Sequence, residues 1–490
     1  MSGGLIQLVA LGIEDMYLTS KPEVTFFKIV YKRHTNFSLE LIPQLFNTTP
    51  DFGKRVTCNI SNNGDLMSNI YIVIDLPNIP LIYENGQVNE INKFAWCHKI
   101  GFALINHVEL EIGGNVIDKH YSDWLNIWSE LNETTHQKGL NKMIGNIDKL
   151  NQFTTSKDSY RLHIPLNFWF CRHKGLALPL IALHFSDVKI NVEFNELDTI
   201  LRKSPTHYIE IDEDVTHFKS GELLHQIDMD THVLFDTYDY KTKRLYYIKF
   251  NHALKSYTSS SSSSKENYKI WSMNGYYVFP KDGSSEINYN INTPYLSFAK
   301  SHLLVNYIFL DNHEREQFSK SKHEYLIDFL QFSGDKSVYN TNLKFNLGFT
   351  HPSKEIIWIG TFKNKSSNFI KNKFDYGENH GDNLIKKTRL LLNGQERTSN
   401  FDNKYYNYIQ PYKYHLNAPS NGINIYSFSL DPNDKQPHGS CNFSSIDDIV
   451  LEMSISREVN YKNPAIIKIY NLGYNIFRII NGISGLTFSN

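Results

Sequence analysis

NLGYNIFRIINGISGLTFSN, residues Asn471 to Asn490, mixes apolar, aromatic and small residues in an order that neither an amphipathic helix nor a simple turn would dictate. Within it Ile476, Phe477, Ile479 and Ile480 read as buried. PEVTFFKIVYKRHTNF, from Pro22 to Phe37, carries the same irregular mixture near the other end of the chain. Neither stretch repeats at the helical period, so the fold has to be read from what lies between them.

What lies between reads as strands, twice over. Ile70, Ile72, Ile74 and Leu76 alternate with Tyr71, Val73 and Asp75, the two-residue period of a strand. Val108-Glu109-Leu110-Glu111-Ile112 alternates again and runs through Gly113-Gly114 into Asn115-Val116-Ile117. Two glycines between alternating runs signal a hairpin, because tight two-residue turns need positive φ. Val188, Ile190, Val192 and Phe194 then alternate with Lys189, Asn191 and Glu193. The second half replays this order. Glu355 to Phe362 (EIIWIGTF) stands for Ile70 to Leu76, and Arg389 to Leu392 runs into the turn pair Asn393-Gly394. Ile423 to Leu430 (INIYSFSL) follows, and Ile449 to Ile455 (IVLEMSI) stands for Val188 to Phe194. Aromatic residues trail each hairpin, Tyr121 to Trp128 in the first half and Tyr405, Tyr406, Tyr408, Tyr412 and Tyr414 in the second. From Gly113 to Asn393 the offset is 280 residues. Short half-buried strands broken by turns predict antiparallel sandwiches, and their repeated order predicts a tandem duplication.

Between the halves, Pro205 to Thr293 holds an acidic cluster (Glu210, Asp212, Glu213, Asp214) and a serine run from Ser259 to Ser264. A serine run offers no apolar face and favours a loop. Leu245 to Phe250 and Tyr276 to Phe279 have strand character, but the region as a whole reads as a linker followed by decorated loops of the second half. One helix is expected over His313 to Leu330, on the spacing of Phe318, Tyr325, Leu326 and Phe329.

Composition narrows the function classes. The chain has 490 residues, enough for two to four domains at roughly 100–200 residues each. Lys+Arg total 50 and Asp+Glu 51, a net charge of −1, so there is no bulk electrostatic drive toward nucleic acid or anionic lipid. Thirty Tyr and 31 Phe suit strands and large packed interfaces. Cys58, Cys97, Cys171 and Cys441 are scattered without a CxxC pair and read as free thiols made in a reducing compartment. Leu5 to Ile13 is too short and too poorly flanked to be a signal or a membrane span, and Ser2-Gly3 does not fit the myristoylation pattern.

Motifs that would carry chemistry fail one by one. His313-Glu314-Arg315-Glu316-Gln317 starts like HExxH, but Gln317 stands where the second ligand belongs, and Ile327 does so after His323-Glu324. There is no His-x-His among the 20 histidines, no GxxxxGK[ST], no GxGxxG and no GxSxG; Ser484, between Gly482 and Gly485, has the wrong glycine spacing. Lys28, Lys32, Arg33 and His34 interleave with Phe26, Phe27, Tyr31 and Phe37, a pattern that suits single-stranded nucleic acid or, more simply, a strand with a charged edge or a basic face meeting a neighbouring subunit. Asn-x-Ser/Thr sequons at Asn36, Asn47, Asn59, Asn132, Asn364 and Asn442 are expected to be silent in a cytosolic protein.

Several blocks stand in order along the chain: Gly4 to Ala10 with Tyr17-Leu18-Thr19, Pro22 to Phe37, and His302 to Leu310 (HLLVNYIFL) with Asp311, Glu314, Arg315 and Phe318. His323 to Ile327, Gln331-Phe332, His351-Pro352 with Glu355 and Trp358, and Leu392-Asn393-Gly394 follow. Tyr426-Ser427-Phe428, Gln436-Pro437 with Gly439, Cys441 to Ser444 and Asn475 to Asn490 complete the series. In their collinear order these blocks resemble the major capsid proteins of nucleocytoplasmic large double-stranded DNA viruses, the double jelly-roll capsid family. The resemblance implies an all-β fold of two tandem eight-stranded antiparallel jelly rolls with long loops and a few short helices. It implies an N-terminal arm (1–20), a first jelly roll (21–205) and a second (206–490) carrying a loop-rich insertion at about 206–293. It further implies a structural protein, not an enzyme, with no catalytic, cofactor or metal residues, that self-assembles into homotrimeric pseudo-hexagonal capsomers tiling an icosahedral shell. The implied partners are two further copies, neighbouring capsomers, minor capsid and penton proteins and, through these, the inner viral membrane. Surface glycans are a candidate decoration, and direct nucleic-acid contact is not expected. The place of action would be the virion capsid shell after synthesis in the host cytoplasm, with Met1 to Thr19 facing inward and the loop of Ser259 to Ser264 outward. The alternative from another class is a jelly-roll glycan-binding protein of lectin type, which would hold sugar on exposed loop aromatics. A β-sandwich enzyme would need clustered His or carboxylates that the sequence lacks.

Overall fold

The computed structural model describes residues 34–84, 87–132, 136–213, 215–226, 231–249, 252–257, 264–287, 296–298, 300–363, 373–377, 382–461 and 463–488. The N-terminal arm, Pro22 to Arg33, Ser259 to Ser263 and the sequon at Asn364 lie outside the described residues.

Eight strands build a first sandwich: β1 (Phe37–Gln44), β2 (Arg55–Asn59), β3 (Leu66–Leu76), β4 (Ile105–Ile112), β5 (Asn115–Tyr121), β6 (Tyr160–Pro165), β7 (Val188–Phe194) and β8 (Ser301–Leu310). They form two antiparallel sheets with strand orders β1-β8-β3-β6 and β2-β7-β4-β5. A second set repeats the plan: β9 (His323–Phe332), β10 (Asn342–Asn346), β11 (Pro352–Phe362), β12 (Ile385–Leu392), β13 (Gln395–Asp402), β14 (Asn424–Ser427), β15 (Ile449–Ile455) and β16 (Ala465–Ile480). Its sheets run β9-β16-β11-β14 and β10-β15-β12-β13, the first order with eight added to every number. The duplication expected from element order is therefore present strand for strand, and both units have the two-sheet jelly-roll arrangement.

The local reasons are those of the sequence. Ile70, Ile72, Ile74 and Leu76 are all buried while Tyr71 and Asp75 are half-buried, so period two puts the apolar set inward. The hairpins β4–β5 and β12–β13 turn on Gly113 (φ 59) with Gly114 (φ 82) and on Asn393 (φ 47) with Gly394 (φ 75). Two consecutive positive φ values are what a two-residue turn matching strand twist requires.

Four expectations differ from the structure. The helix expected over His313 to Leu330 is α2 (Asn312–Lys320), capped by Asp311, whose side chain accepts from the Glu314 N–H. From His323 the chain is strand β9, because ten consecutive residues pair with β16, from His323 opposite Ile479 to Phe332 opposite Tyr470. The region read as linker and loops holds a seven-stranded antiparallel sheet, ordered Tyr277–Val278, Ile270–Ser272, Leu223–Gln226, Thr231–Asp239, Arg244–Lys249, His207–Glu210 and Ser285–Glu286. It has its own core of Ile209, Leu224, Val233, Leu245, Tyr247, Ile270 and neighbours. This sheet sits between β7 and β8, and β8 then pairs with β1 and β3 of the first sandwich, although the sequence reading put Ser301–Leu310 in the 206–490 unit. Lastly, Phe477 and Ile479 are buried but Ile476 is half-buried and Ile480 exposed, since β16 outruns the core at its end.

Candidate assembly surfaces

The two rolls of the chain meet along an apolar joint. The outer edge of the first roll is β5, followed by α1 (Ser122–Asn132). These pack on the sheet of the second roll that carries β9, β16 and β11. Tyr121, the last residue of β5, lies 4.6 Å (ring centroids) from Phe332 at the end of β9 and 6.3 Å from Tyr470 of β16. Trp124 of α1 lies 6.1 Å from Tyr470. The Leu330 N–H crosses from β9 to Asp118 Oδ1 on β5 at 3.2 Å. Alternation on β11 explains why its sequence reads as a continuous apolar run. Ile356 and Trp358 belong to the second roll's own core, whereas Ile357 and Ile359 join the cluster shared with the first roll. A strand buried on both faces loses the polar half of its pattern.

Charge fixes the orientation of this apolar contact. Lys468 of β16 bonds Asp123 of α1 at 2.7 Å, and the Tyr376 hydroxyl donates to the other Asp123 oxygen at 3.0 Å. Burial opposes ionisation of Asp123, but the charge and hydrogen bond of Lys468 outweigh it and hold the carboxyl below the usual carboxylate range. Burial likewise works against Lys468, and Asp123 more than offsets it, so the ammonium titrates above its usual value. Arg172 of the first roll reaches Asp328 of β9 at 3.1 Å with its guanidinium 3.9 Å over the Trp128 ring. Lys354, fully buried, completes that site at 3.0 Å from Asp328. At the rim Lys99 holds Glu130 at 2.8 Å, and the free oxygen of Glu130 accepts the Ser420 N–H at 2.7 Å. Fully burying one Trp or Tyr removes roughly 150–250 Å² from water, about 4–6 kcal/mol at 25 cal/mol/Å². Apolar burial therefore drives the joint, and the ion pairs select its register.

Away from the joint, several apolar side chains are bare. On β1, the edge strand of its sheet, Phe37, Leu39 and Leu41 are 57%, 50% and 52% exposed. On the second roll, β13 is exposed at seven of its eight residues. The helical segment after it (405–414) shows Tyr408, Ile409 and Tyr412 to solvent. The sequence reading named Phe37, Tyr408 and Tyr412 but not Leu39, Leu41 or Ile409; the alternation of Phe37, Leu39 and Leu41 looks like a core face, and only their exposure reveals otherwise.

The sequence-level candidates for chemistry are placed apart. His313 to Gln317 lie on the exposed helix α2, where Arg315 forks onto Asp65 at 3.0 and 3.2 Å. Of these only Arg315 lines, with Asp65, Asn62, Asn63 and His184, a cleft of about 290 Å³. Among the described residues no group of three or more His, Cys, Asp or Glu side chains is arranged to hold a metal. Burial pushes the Cys58 thiol up to about 11 and those of Cys97 and Cys171 to about 12, which leaves them as unreactive thiols at neutral pH. No described helix is long and apolar enough to cross a membrane.

Comparison with known proteins agrees with this architecture. A family model described as major capsid protein N-terminus matches residues 25–232, and one described as large eukaryotic DNA virus major capsid protein matches 314–485. The probable capsid protein 4 of Acanthamoeba polyphaga mimivirus is 43% identical over 100% of this chain and 99% of its own. Among solved structures, the quasi-atomic model of the PBCV-1 virus capsid has a TM-score of 0.63 at 25% identity, covering 95% of this chain and 100% of that one. The Faustovirus major capsid protein has a TM-score of 0.68 at 13% identity, covering 96% and 94%, a likeness of fold alone.

Proposed function

The chain belongs to the family of large eukaryotic DNA virus major capsid proteins, and from that premise we propose that three copies close into a pseudo-hexagonal capsomer of an icosahedral virion shell. The role is structural, and the protein's place is the capsid shell. The observation that carries the reading is the 43% identity, over the whole chain, to a probable viral capsid protein in a chain whose two rolls repeat strand for strand. Two similar rolls per chain give three chains six similar corners, which is what a hexagonal tile needs, and a closed ring of identical chains requires a heterologous contact.

The finer organisation belongs to the same proposal. We assign an N-terminal arm, a first roll that takes back Ser301–Leu310 as its last strand, a small inserted β domain over His207–Glu286, and a second roll from His323 onward. Neighbouring capsomers, minor capsid and penton proteins, and through them an inner membrane, would meet the outer rim of the tile. Light scattering of the purified 57.0 kDa chain, with electron microscopy of the same sample, tests the proposal. A particle of three chains with a hexagonal outline is the expected result. A chain that stays single at concentrations where shells assemble would overturn it.

A further inference from the structure

We propose that Lys99 and Asn126 become joined covalently once the chain has folded. The Lys99 amine displaces the side-chain amide nitrogen of Asn126 to form an isopeptide bond, with Glu130 as the group that moves the protons. The inference stands on contacts within one chain and does not depend on how copies assemble.

The fold brings together three side chains that the sequence keeps apart. Lys99 stands at the N-cap of the short helix Ile100–Leu104, while Asn126 and Glu130 lie four residues apart on α1 and so share a face of that helix. Lys99 Nζ donates to Asn126 Oδ1 at 2.6 Å and to Glu130 Oε1 at 2.8 Å. An ion pair alone accounts for the second contact but not for the first, which is the shorter. Asn126 is fully buried, and its Nδ2 donates to the Tyr376 hydroxyl at 3.4 Å, so the amide is turned with its carbonyl toward the lysine. Its Cγ stands one carbonyl bond, about 1.2 Å, behind the oxygen that Nζ already touches, which leaves the amine little distance to cover to the near-attack separation of about 3–3.5 Å. Lys99 itself sits in the left-handed region (φ 51, ψ 46), where a lysine stays only under constraint from its surroundings, and strain of this kind collects at sites that do chemistry.

The chemistry needs no outside reagent. Burial works against the Glu130 charge, but the Lys99 ammonium and the Ser420 N–H hold its carboxyl below the usual range, so the resting pair is ionic. Shifting one proton along the 2.8 Å contact turns the pair into a neutral amine and a neutral acid, a form that the dry surroundings of Asn126 favour over separated charges. The Nζ lone pair then forms its bond to Cγ. As the Cγ–Nδ2 bond breaks, Glu130 gives its proton to the departing Nδ2 and takes the second proton from Nζ. The third stays on the new amide nitrogen. The departing ammonia carries the proton off Glu130 as ammonium, which restores the carboxylate. Because the ionic pair is the resting form, the bond forms slowly, as a maturation of the folded chain. It would tie residues 27 apart in sequence and anchor α1, the helix that carries Asp123 and Trp124 into the joint.

Mass spectrometry of the denatured wild-type chain, fresh and after incubation in the folded state, should read the loss of one ammonia, about 17 Da. A tryptic digest should contain a branched peptide that joins the segments of Lys99 and Asn126, uncut after Lys99. Lys99→Arg keeps the charge beside Glu130, and Glu130→Gln keeps the shape but takes no proton; both should hold the full 57.0 kDa mass and lack the branched peptide. A folded wild-type chain that keeps its ammonia through the incubation would overturn the proposal. So would a lighter chain without the branched peptide, because a succinimide at Asn126 also sheds ammonia. A Glu130→Gln chain that cross-links as fully as wild type would overturn the role given to Glu130. The wild-type measurement needs no variant to fold, and it reads the same on single chains and on rings, so its failure leaves the capsomer reading untouched.

Discussion

Removing Asp123 should cost about 4 kcal/mol, and most of that loss should vanish when Lys468 is removed as well. Asp123 has a side chain only 7% exposed and Lys468 one 22% exposed, with 2.7 Å between their charges. Asp123→Ala leaves Lys468 with Asp335 alone, at 3.7 Å and half in water. Truncating one partner of a buried pair costs about 3–5 kcal/mol, and the residual partner puts this case near 3. The Tyr376 hydroxyl loses its acceptor in the same step, for about 1 kcal/mol more. Asp123→Ala with Lys468→Met removes the stranded charge and should recover about 3 kcal/mol, leaving chiefly the tyrosine term. Denaturant unfolding of the two singles and the double gives the cycle directly. The depressed acid constant of Asp123 adds a pH signature: its contribution is present above about pH 4 and is lost as pH falls through the folded value, so Asp123→Ala should flatten the acid limb. A double variant no more stable than Asp123→Ala would refute the account of the joint as an apolar contact registered by charge.

Other expectations follow from single sites. Phe477→Asp places a carboxylate at a fully buried position against Trp169, 5.6 Å between rings, and should leave little soluble protein; a soluble ring with unchanged melting temperature would contradict that placement. Gly422 has φ of 97° and an added Cβ would stand 2.5 Å from the Tyr376 side chain, so Gly422→Ala should lower stability by at least about 2 kcal/mol in denaturant unfolding. Burial lowers Lys373 to about 8, so the native state is charged at a cost below that pH, and stability should rise between about pH 8 and 10.4. Lys373→Met should raise the unfolding free energy at pH 7 by up to about 3 kcal/mol and abolish that rise. Trp358→Ala should cost about 3–5 kcal/mol by the same assay, since the ring is buried in the second core and packs 5.0 Å from Tyr406.

The parts of this fold legible in its sequence are those set by neighbours along the chain. The hairpins at Gly113-Gly114 and Asn393-Gly394 need positive φ and alternating flanks, and both are local. Strand β9 was hidden because Tyr325 and Phe329 stand four apart, a spacing that suits a helix equally well. Its partner β16, about 150 residues on, settles the matter. The inserted sheet escaped notice for another reason: several of its strands are only two to four residues long, too short to show a period. That β8 closes the first sandwich is a non-local pairing that no window of sequence contains. The assembly surfaces were the least legible. Leu39 and Leu41 alternate like any core strand, and Ile480 continues a buried run, so only coordinates separate covered from bare.

The inserted sheet between β7 and β8 also sets a timetable. β1 pairs with β8 and with no other described strand, and β8 is the strand between β1 and β3. During synthesis, roughly 100 residues separate the end of β7 from the start of β8, about 5–20 s at ribosomal speed. Throughout that interval the first sheet has a gap at its centre and β1 has no partner, and the inserted sheet is complete only when Glu286 has been added, shortly before β8. The nascent chain thus exposes an unpaired strand for seconds, and a cell crowded with identical chains would be served by a factor that shields it.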